Sequence, residues 1–294
     1  MSKSVVPILG VSGVLACALT PLFALSTSCA STVKAYRTAE TAAAKLLMPI
    51  EQENQLGLQV KQELEQKQNV KYSSDQVVVN YVREVAGRIL EHAKKDRADV
   101  KWEVNVIDDL KTVNAFATPG GYLYVYTGLL QLADNEAELA GVMGHEAGHV
   151  VARHSARQMV SAYGLEAVTS MALGKNPNLL TKVGATLAAK GTLLAHSRSD
   201  EDEADEYGAR YSSQAGYDPH GIITFFEKLK AKEGNTPKIM VWLSDHPATA
   251  DRITRINQHI DEKALGGSDL GQQRFEAIRR RLGGSGSGAA QGTR

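Results

Sequence analysis

Cysteine is almost missing from this chain. Cys17 and Cys29 are the only two among 294 residues, and both fall within the first thirty. Everything beyond them is therefore without a disulfide, and a chain this long has enough interior to fold without one. Net charge is missing as well: 33 Lys and Arg balance 33 Asp and Glu, which removes the overall basic field that nucleic-acid binding relies on. No internal repeat is present. What remains is a composition ordinary for globular domains, 43% hydrophobic and 22% charged, sufficient for one large domain or two small ones.

Charge is also missing locally. From Ser4 to Val33 there is no charged side chain, a run long enough to span a bilayer. Pro7, Gly10, Gly13 and Pro21 interrupt it, and it ends in the polar Ser26-Thr27-Ser28. With Lys3 in front, it reads as a secretory signal rather than a retained anchor. The small residues before Cys29 resemble a lipoprotein processing site, with Ser26 where a leucine is usual, so Cys29 is expected to be the lipidated first mature residue. Cleavage after Ala30 and plain secretion is the other route. The expected organisation is a leader over 1–30, a domain over 31–265, and an extension over 266–294 that ends in a disordered glycine-rich tail from Gly283.

Periodicity places the elements. A polar helix is expected from 31 to about 72, and a second opens at Asp75, with Val78, Val82, Val85, Ile89 and Leu90 at helical spacing. Val100 to Val106 alternates as a half-buried strand does, and Tyr122 to Tyr126 forms another after the turn signal Pro119-Gly120-Gly121. Asn135, with Glu138 as reciprocal partner, caps a helix running through Leu139, Val142, Met143, Val150 and Val151. Two helices are expected between Tyr163 and Leu194, another from about Asp200 to Ala215, and another over Ile222 to Lys232. A final helix is expected from His246-Pro247 through Ile256.

The capped helix carries His145-Glu-Ala-Gly-His149. Histidines four apart project from one helical face, so both imidazoles can reach one zinc ion. Glu146, rotated about the axis, can take a proton from water without being a ligand. The helix is otherwise apolar, which disfavours a plain surface pair of histidines. A third ligand is needed. A histidine six residues after His149 would serve, but Ser155 stands there, and Ala152 replaces the glycine that would accompany it. His154 is one position short and reads as structural or as a support behind a ligand. The remaining source is the acidic segment Ser197-Arg-Ser-Asp-Glu201-Asp-Glu203-Ala-Asp205. Glu201 and Asp205 share a face, so Glu201 could ligate while Asp205 receives a hydrogen bond from a ligand histidine. Acids in a first helical turn also suit the helix dipole with no metal at all, and spacing alone does not separate Glu201 from Glu203.

In combination, Asn114-Ala-Phe-Ala-Thr-Pro-Gly-Gly121, the histidine motif, Ser197-Arg-Ser-Asp-Glu201 with Asp205, and His246-Pro247 with Arg252-Ile253 resemble one zinc metallopeptidase family. It is the family of the CAAX prenyl protease and the HtpX heat-shock protease, here like its exported bacterial members of the LoiP and BepA type. The resemblance runs from about Glu51 to Ile256. It implies an α+β fold, mostly helical, with a zincin-like (gluzincin) core and a small sheet whose edge strand borders the active-site helix. It implies one Zn2+ per chain on His145, His149 and Glu201, with Asp205 behind a ligand and Glu203 an ordinary helix acid. The segment from Asn114 to Tyr126 becomes an edge strand beside the zinc, with Asn114, Ala115, Phe116 and Ala117 binding a substrate backbone. His246 becomes an active-site residue that stabilises an oxyanion or fills the open metal position, and Arg252 contributes charge to catalysis. The tetratricopeptide extension of the BepA type is not seen after Ile256, so functions that depend on it are not carried over. The implied activity is zinc-dependent endopeptidase cleavage of misfolded or misassembled envelope proteins, in the periplasm at the outer membrane. A metal-bound but non-catalytic binding or chaperone module is the alternative, against which the intact Glu146 speaks.

Overall fold

Apolar residues at four-residue spacing turn the first helix inward. In α1 (Ile50–Gln66), Leu56, Val60 and Leu64 lie on one buried face. The next helix, α2 (Gln76–Asp96), starts where Asp75 accepts hydrogen bonds from the Val77 and Val78 N–H groups, and it buries the expected Val78, Val82, Val85, Ile89 and Leu90. The computed structural model describes residues 48–190, 196–232, 240–247 and 249–284. The leader, Cys17, Cys29, the first part of the expected polar helix and the end of the glycine-rich tail lie outside the described residues. All described residues belong to one compact unit, Glu40–Arg294.

The sheet is built from β1 (Glu103–Ile107), β2 (Ala115–Thr118) and β3 (Tyr122–Tyr126) in the order β1-β3-β2. β1 runs parallel to β3 and β2 antiparallel to it. The single edge strand expected over Asn114 to Tyr126 is thus two strands, with Ala115–Thr118 at the edge and Tyr122–Tyr126 in the centre. The chain reverses between them because Gly120 and Gly121 adopt φ of 84° and 92°, values open to glycine. Alternation divides the sheet between two cores. Val104, Val106, Leu123 and Val125 join a large cluster with α2, while Ile107, Phe116 and Tyr124 join a smaller one with α1.

After α3 (Thr127–Leu132) comes α4 (Glu136–Val151), every residue of which is buried. Asn135 caps it by accepting from the Glu138 N–H at 3.0 Å, and the Glu138 carboxylate accepts from Asp134 N–H at 2.9 Å, one residue earlier than the capping box required. Then follow α5 (His154–Tyr163), α6 (Leu165–Ala172), α7 (Pro177–Lys190), α8 (Arg198–Gln214), α9 (Gly221–Lys232), α10 (Met240–Asp245), α11 (Ala250–Glu262) and α12 (Gln272–Gly284). Ser197 starts α8 with a full capping box to Asp200. Two expectations change. His246 and Pro247 lie in the break between α10 and α11, and it is Thr249 that caps α11. The chain after Gly266 also forms a helix, α12, which includes Gly283 and sends Phe275, Ile278 and Leu282 into the large core.

The most extensive helix pairing among the described residues sets the site. Helices α4 and α8 meet where a Cβ on Gly144 would stand 3.0 Å from Gly208 Cα, and a Cβ on Gly148 would stand 2.8 Å from Tyr207 Cβ. In a free helix Gly148→Ala would stabilise by about 0.5–1 kcal/mol. Here the methyl has no room, and overpacking should destabilise by about 1–3 kcal/mol. The denaturant midpoint should fall, and a rise would contradict the packing.

Candidate metal centre

Three elements converge. Helix α4 supplies His145, Glu146 and His149, α8 supplies Glu201 and Asp205, and the α10–α11 break supplies His246. All six are nearly sealed from solvent, none more than 5% exposed. His145 Nε2 lies 3.0 Å from His149 Nε2 and 3.2 Å from His246 Nδ1. The Glu201 oxygens lie 3.7 Å from His145 Nε2, 3.5 Å from His149 Nε2 and 3.0 Å from His246 Nδ1. Two nitrogens on one tetrahedral zinc stand about 3.3 Å apart, given bonds of about 2.0–2.1 Å. The four side chains fit one ion by spacing and by chemistry.

The tautomer of His145 fits too. Its Nδ1 lies 2.9 Å from Asp205 Oδ1. A carboxylate only accepts, so Nδ1 carries the proton and Nε2 presents a lone pair to the cluster. Burial lowers His149 well below its ordinary value, with the neighbouring histidines adding to the effect, so it stays neutral as a ligand must. Glu201 is raised by burial, but His246 and Arg252 outweigh this and hold it well below the carboxylate range. Glu146 is raised by burial in spite of His246 and His145, and its Oε1 is buried with no hydrogen-bond partner. Burial alone would lower His246, yet Glu201 and Glu146 bring it up to about 9. A proton and a cation are alternatives at its Nδ1.

Arg252 lies in the expected region, set against the Glu201 and Asp205 carboxylates of α8. Its Nε and Nη2 donate to the two oxygens of Asp205 at 2.8 and 2.7 Å, and Nη1 approaches Glu201 Oε2 at 2.7 Å and donates to the Pro247 carbonyl at 2.9 Å. It fixes the two carboxylates, a positioning role. Glu203 is not an ordinary helix acid: it lies 3.3 Å from His154 Nε2 and accepts from Arg157 at 3.0 Å. Of the expected substrate-binding residues, Ala115, Phe116 and Ala117 lie on β2, which packs against α4, and Asn114 immediately precedes it. Phe116 turns away and stacks on Tyr124 at 4.6 Å.

Two aromatic neighbours escaped the sequence reading. Trp242 stacks on His246 with ring centres 4.9 Å apart, and His196 lies 4.0 Å from the His149 ring. His196 could have been noticed, since it directly precedes the Ser197 cap of the ligand helix. Trp242 carried no local signal.

Comparison with known proteins agrees with this geometry. A family model described as peptidase family M48 matches residues 77–260. The mitochondrial metalloendopeptidase OMA1 of Schizosaccharomyces pombe is 37% identical over 182 residues, 62% of this chain and 53% of that protein. The beta-barrel assembly-enhancing protease of Escherichia coli is 30% identical over 189 residues, 61% of this chain and 38% of that protein. The metalloprotease LoiP of Escherichia coli is 37% identical over 160 residues, 53% of this chain and 62% of that protein. The chain spans less than two thirds of the length of each of these relatives.

Glu201→Ala should abolish stoichiometric zinc binding. Asp205→Asn, which keeps an acceptor for His145 but loses the charge facing Arg252, should weaken it by about tenfold to a hundredfold. Titration against a chromophoric chelator measures both, and wild-type affinity in the Glu201 variant would remove Glu201 from the ligand set.

Proposed function

Because the chain belongs to peptidase family M48, we propose that it is a zinc-dependent endopeptidase acting on misfolded or misassembled proteins of the bacterial envelope. The observation that carries this reading is an edge strand beside the histidine–glutamate cluster: among the described residues β2 pairs with β3 alone. Tyr126 N–H donates to the Asn114 carbonyl at 3.1 Å, so by antiparallel alternation Asn114, Phe116 and Thr118 spend their backbone groups on β3. The backbone groups of Ala115 and Ala117 therefore face outward. Ala117 N–H is directed to the Glu146 carboxylate, while Ala115 N–H and both carbonyls face away from β3, as pairing with an extended chain requires. Such pairing reads backbone rather than sequence, which suits unfolded substrates.

His145, His149 and Glu201 would hold zinc, which when bound would supply Lewis acidity towards a carbonyl and a more acidic water. Glu146 takes the proton of the attacking water as the oxygen–carbon bond forms. It passes that proton to the amide nitrogen as the carbon–nitrogen bond breaks. Its raised pKa brings it towards the range in which a carboxyl both takes and gives a proton. His246 Nε2 lies 3.6 Å from Glu146 Oε1. Its place within the ligand cluster favours competition for the metal over oxyanion stabilisation. Arg252 keeps Glu201 and Asp205 in place throughout.

The envelope setting rests on the charge-free run from Ser4 to Val33 behind Lys3, and on Cys29 as a lipidated residue holding the protein at the outer membrane from the periplasmic side. Among the described residues no helix is long and apolar enough to cross a membrane. The name of the beta-barrel assembly-enhancing relative is in keeping with that setting.

Zinc-loaded protein should cleave a reduced, unfolded protein at internal bonds, and a chelator should stop it. Glu146→Gln should retain zinc and lose nearly all turnover. Zinc binding without turnover in the wild type would favour the non-catalytic binding module. Ala115→Pro removes one N–H from the outer edge of β2 without touching the β3 ladder. One lost hydrogen bond of about 1–1.5 kcal/mol should raise KM by about tenfold with zinc content unchanged. An unaltered KM would exclude strand pairing at Ala115.

A further inference from the structure

The two histidines of α4 are supported differently. Behind His145 stands the carboxylate of Asp205. Behind His149 stands another histidine: its Nδ1 lies 2.6 Å from Nδ1 of His154, the wholly buried first residue of α5. Two ligands of one tetrahedral ion would stand about 3.3 Å apart, so this contact is too short for a shared metal. It is the length of a strong hydrogen bond, with one proton between the rings.

The far side of His154 settles which ring owns that proton. His154 Nε2 lies 3.3 Å from Glu203 Oε2 and 3.7 Å from Asp200 Oδ1. Both acids are clamped by Arg157 Nη2, at 3.0 Å to Glu203 and 2.6 Å to Asp200. Ionised carboxylates only accept. In the neutral ring His154 therefore carries its proton on Nε2, and its Nδ1 is a lone pair. His149 must donate from Nδ1, which leaves its Nε2 lone pair facing His145 and Glu201.

The backbone is bent to make this contact. Between α4 and α5, Arg153 adopts φ 58° and ψ 38°, the left-handed region that a residue with a Cβ seldom enters. The turn carries His154 back over His149 only five residues on. Arg153 is held there by Glu53 and by the Met48 carbonyl, to which it donates at 2.9 Å. A conformation kept against its own preference points to a contact that the fold over-determines.

We propose that His154 is a positioning residue of the metal centre: it accepts the Nδ1 proton of His149 and, anchored by Glu203, fixes that ligand's tautomer and ring orientation. This rests on the reading of His145, His149 and Glu201 as metal ligands. The test compares zinc dissociation constants, by competition with a chromophoric chelator, for wild type, His154→Ala, His154→Asn and Glu203→Gln. The His149 tautomer is read from the nitrogen NMR shifts of the ring. His154→Ala should bind zinc about tenfold to a hundredfold more weakly and lose the single Nδ1–H form. His154→Asn places an amide oxygen where Nδ1 stood and should recover most of the affinity. Glu203→Gln keeps an acceptor and should stay within about threefold of wild type. Circular dichroism melting of the metal-free variants checks folding, and if His154→Ala does not fold, the Asn variant and the NMR tautomer decide alone. Equal loss in His154→Ala and His154→Asn, or wild-type affinity in His154→Ala, would overturn the proposal. A wild type that binds no zinc would overturn the ligand reading beneath it, a result distinguishable because it requires no variant.

Discussion

Ligands from two helices can share one ion only if the helix backbones come unusually close, and glycine makes that possible here. Gly144 on α4 faces Gly208 on α8, and Gly148 faces Ala204 and Tyr207. Any side chain at these places would push the helices apart and carry Glu201 and Asp205 away from the histidines. The same approach excludes water, since every residue of α4 is buried. Chemistry and packing therefore draw on one contact. Gly148 sits inside the histidine motif itself, so the motif encodes the helix–helix distance as well as the ligands.

Burial makes charge the second constraint. Glu146, Glu201 and Asp205 bring three carboxylates into the sealed volume, and among the described residues Arg252 is the guanidinium set against them. With neutral histidines the set carries two surplus negative charges, the charge that one divalent cation cancels. The rise of His246 to about 9 is the same imbalance seen from a titratable neighbour. Arg252 is set against Glu201 and Asp205 and makes no hydrogen bond to Glu146. Replacing it with a lysine would not reproduce this, because three of its nitrogens are aimed at two different acids.

What the sequence made legible was local or periodic. The pair His145 and His149, Glu146 beside them and the cap Asn135 follow from spacing along one helix. Asp205 as the acceptor behind a ligand follows from its four-residue distance to Glu201. The choice of Glu201 over Glu203 did not follow from spacing and came from the family pattern. The structure supplies the reason: Glu203, about a third to a half turn around α8 from both Glu201 and Asp205, faces His154 instead. Arg252 was legible as a nearby charge but not as a clamp, because its partners lie 47 and 51 positions earlier in the chain. His154 was legible as structural or as a support behind a ligand, but its pairing with His149 was not, because it depends on the left-handed turn at Arg153, which no glycine announces. Helix α12 was hidden by the glycines around it, although Phe275, Ile278 and Leu282 carry a helical period.

The segment shared with the family, 77–260, does not account for the whole site. Helix α1 lies before it, yet its Glu53 is 3% exposed and pairs with both Arg97 and Arg153. Arg97 in turn donates to the Val150 carbonyl at 3.0 Å, covering one of the free carbonyls at the end of α4. A buried carboxylate between two buried guanidiniums is costly to disturb, since removing one partner strands the others. The same carboxylate holds Arg153 in the turn that returns His154 to His149. The end of the ligand helix, the strained turn and the histidine behind His149 are thus tied to a helix outside the family segment. Beyond the other end, α12 fills the large core with Phe275. The histidine–glutamate cluster lies within the shared segment, while part of what holds it in register lies outside it.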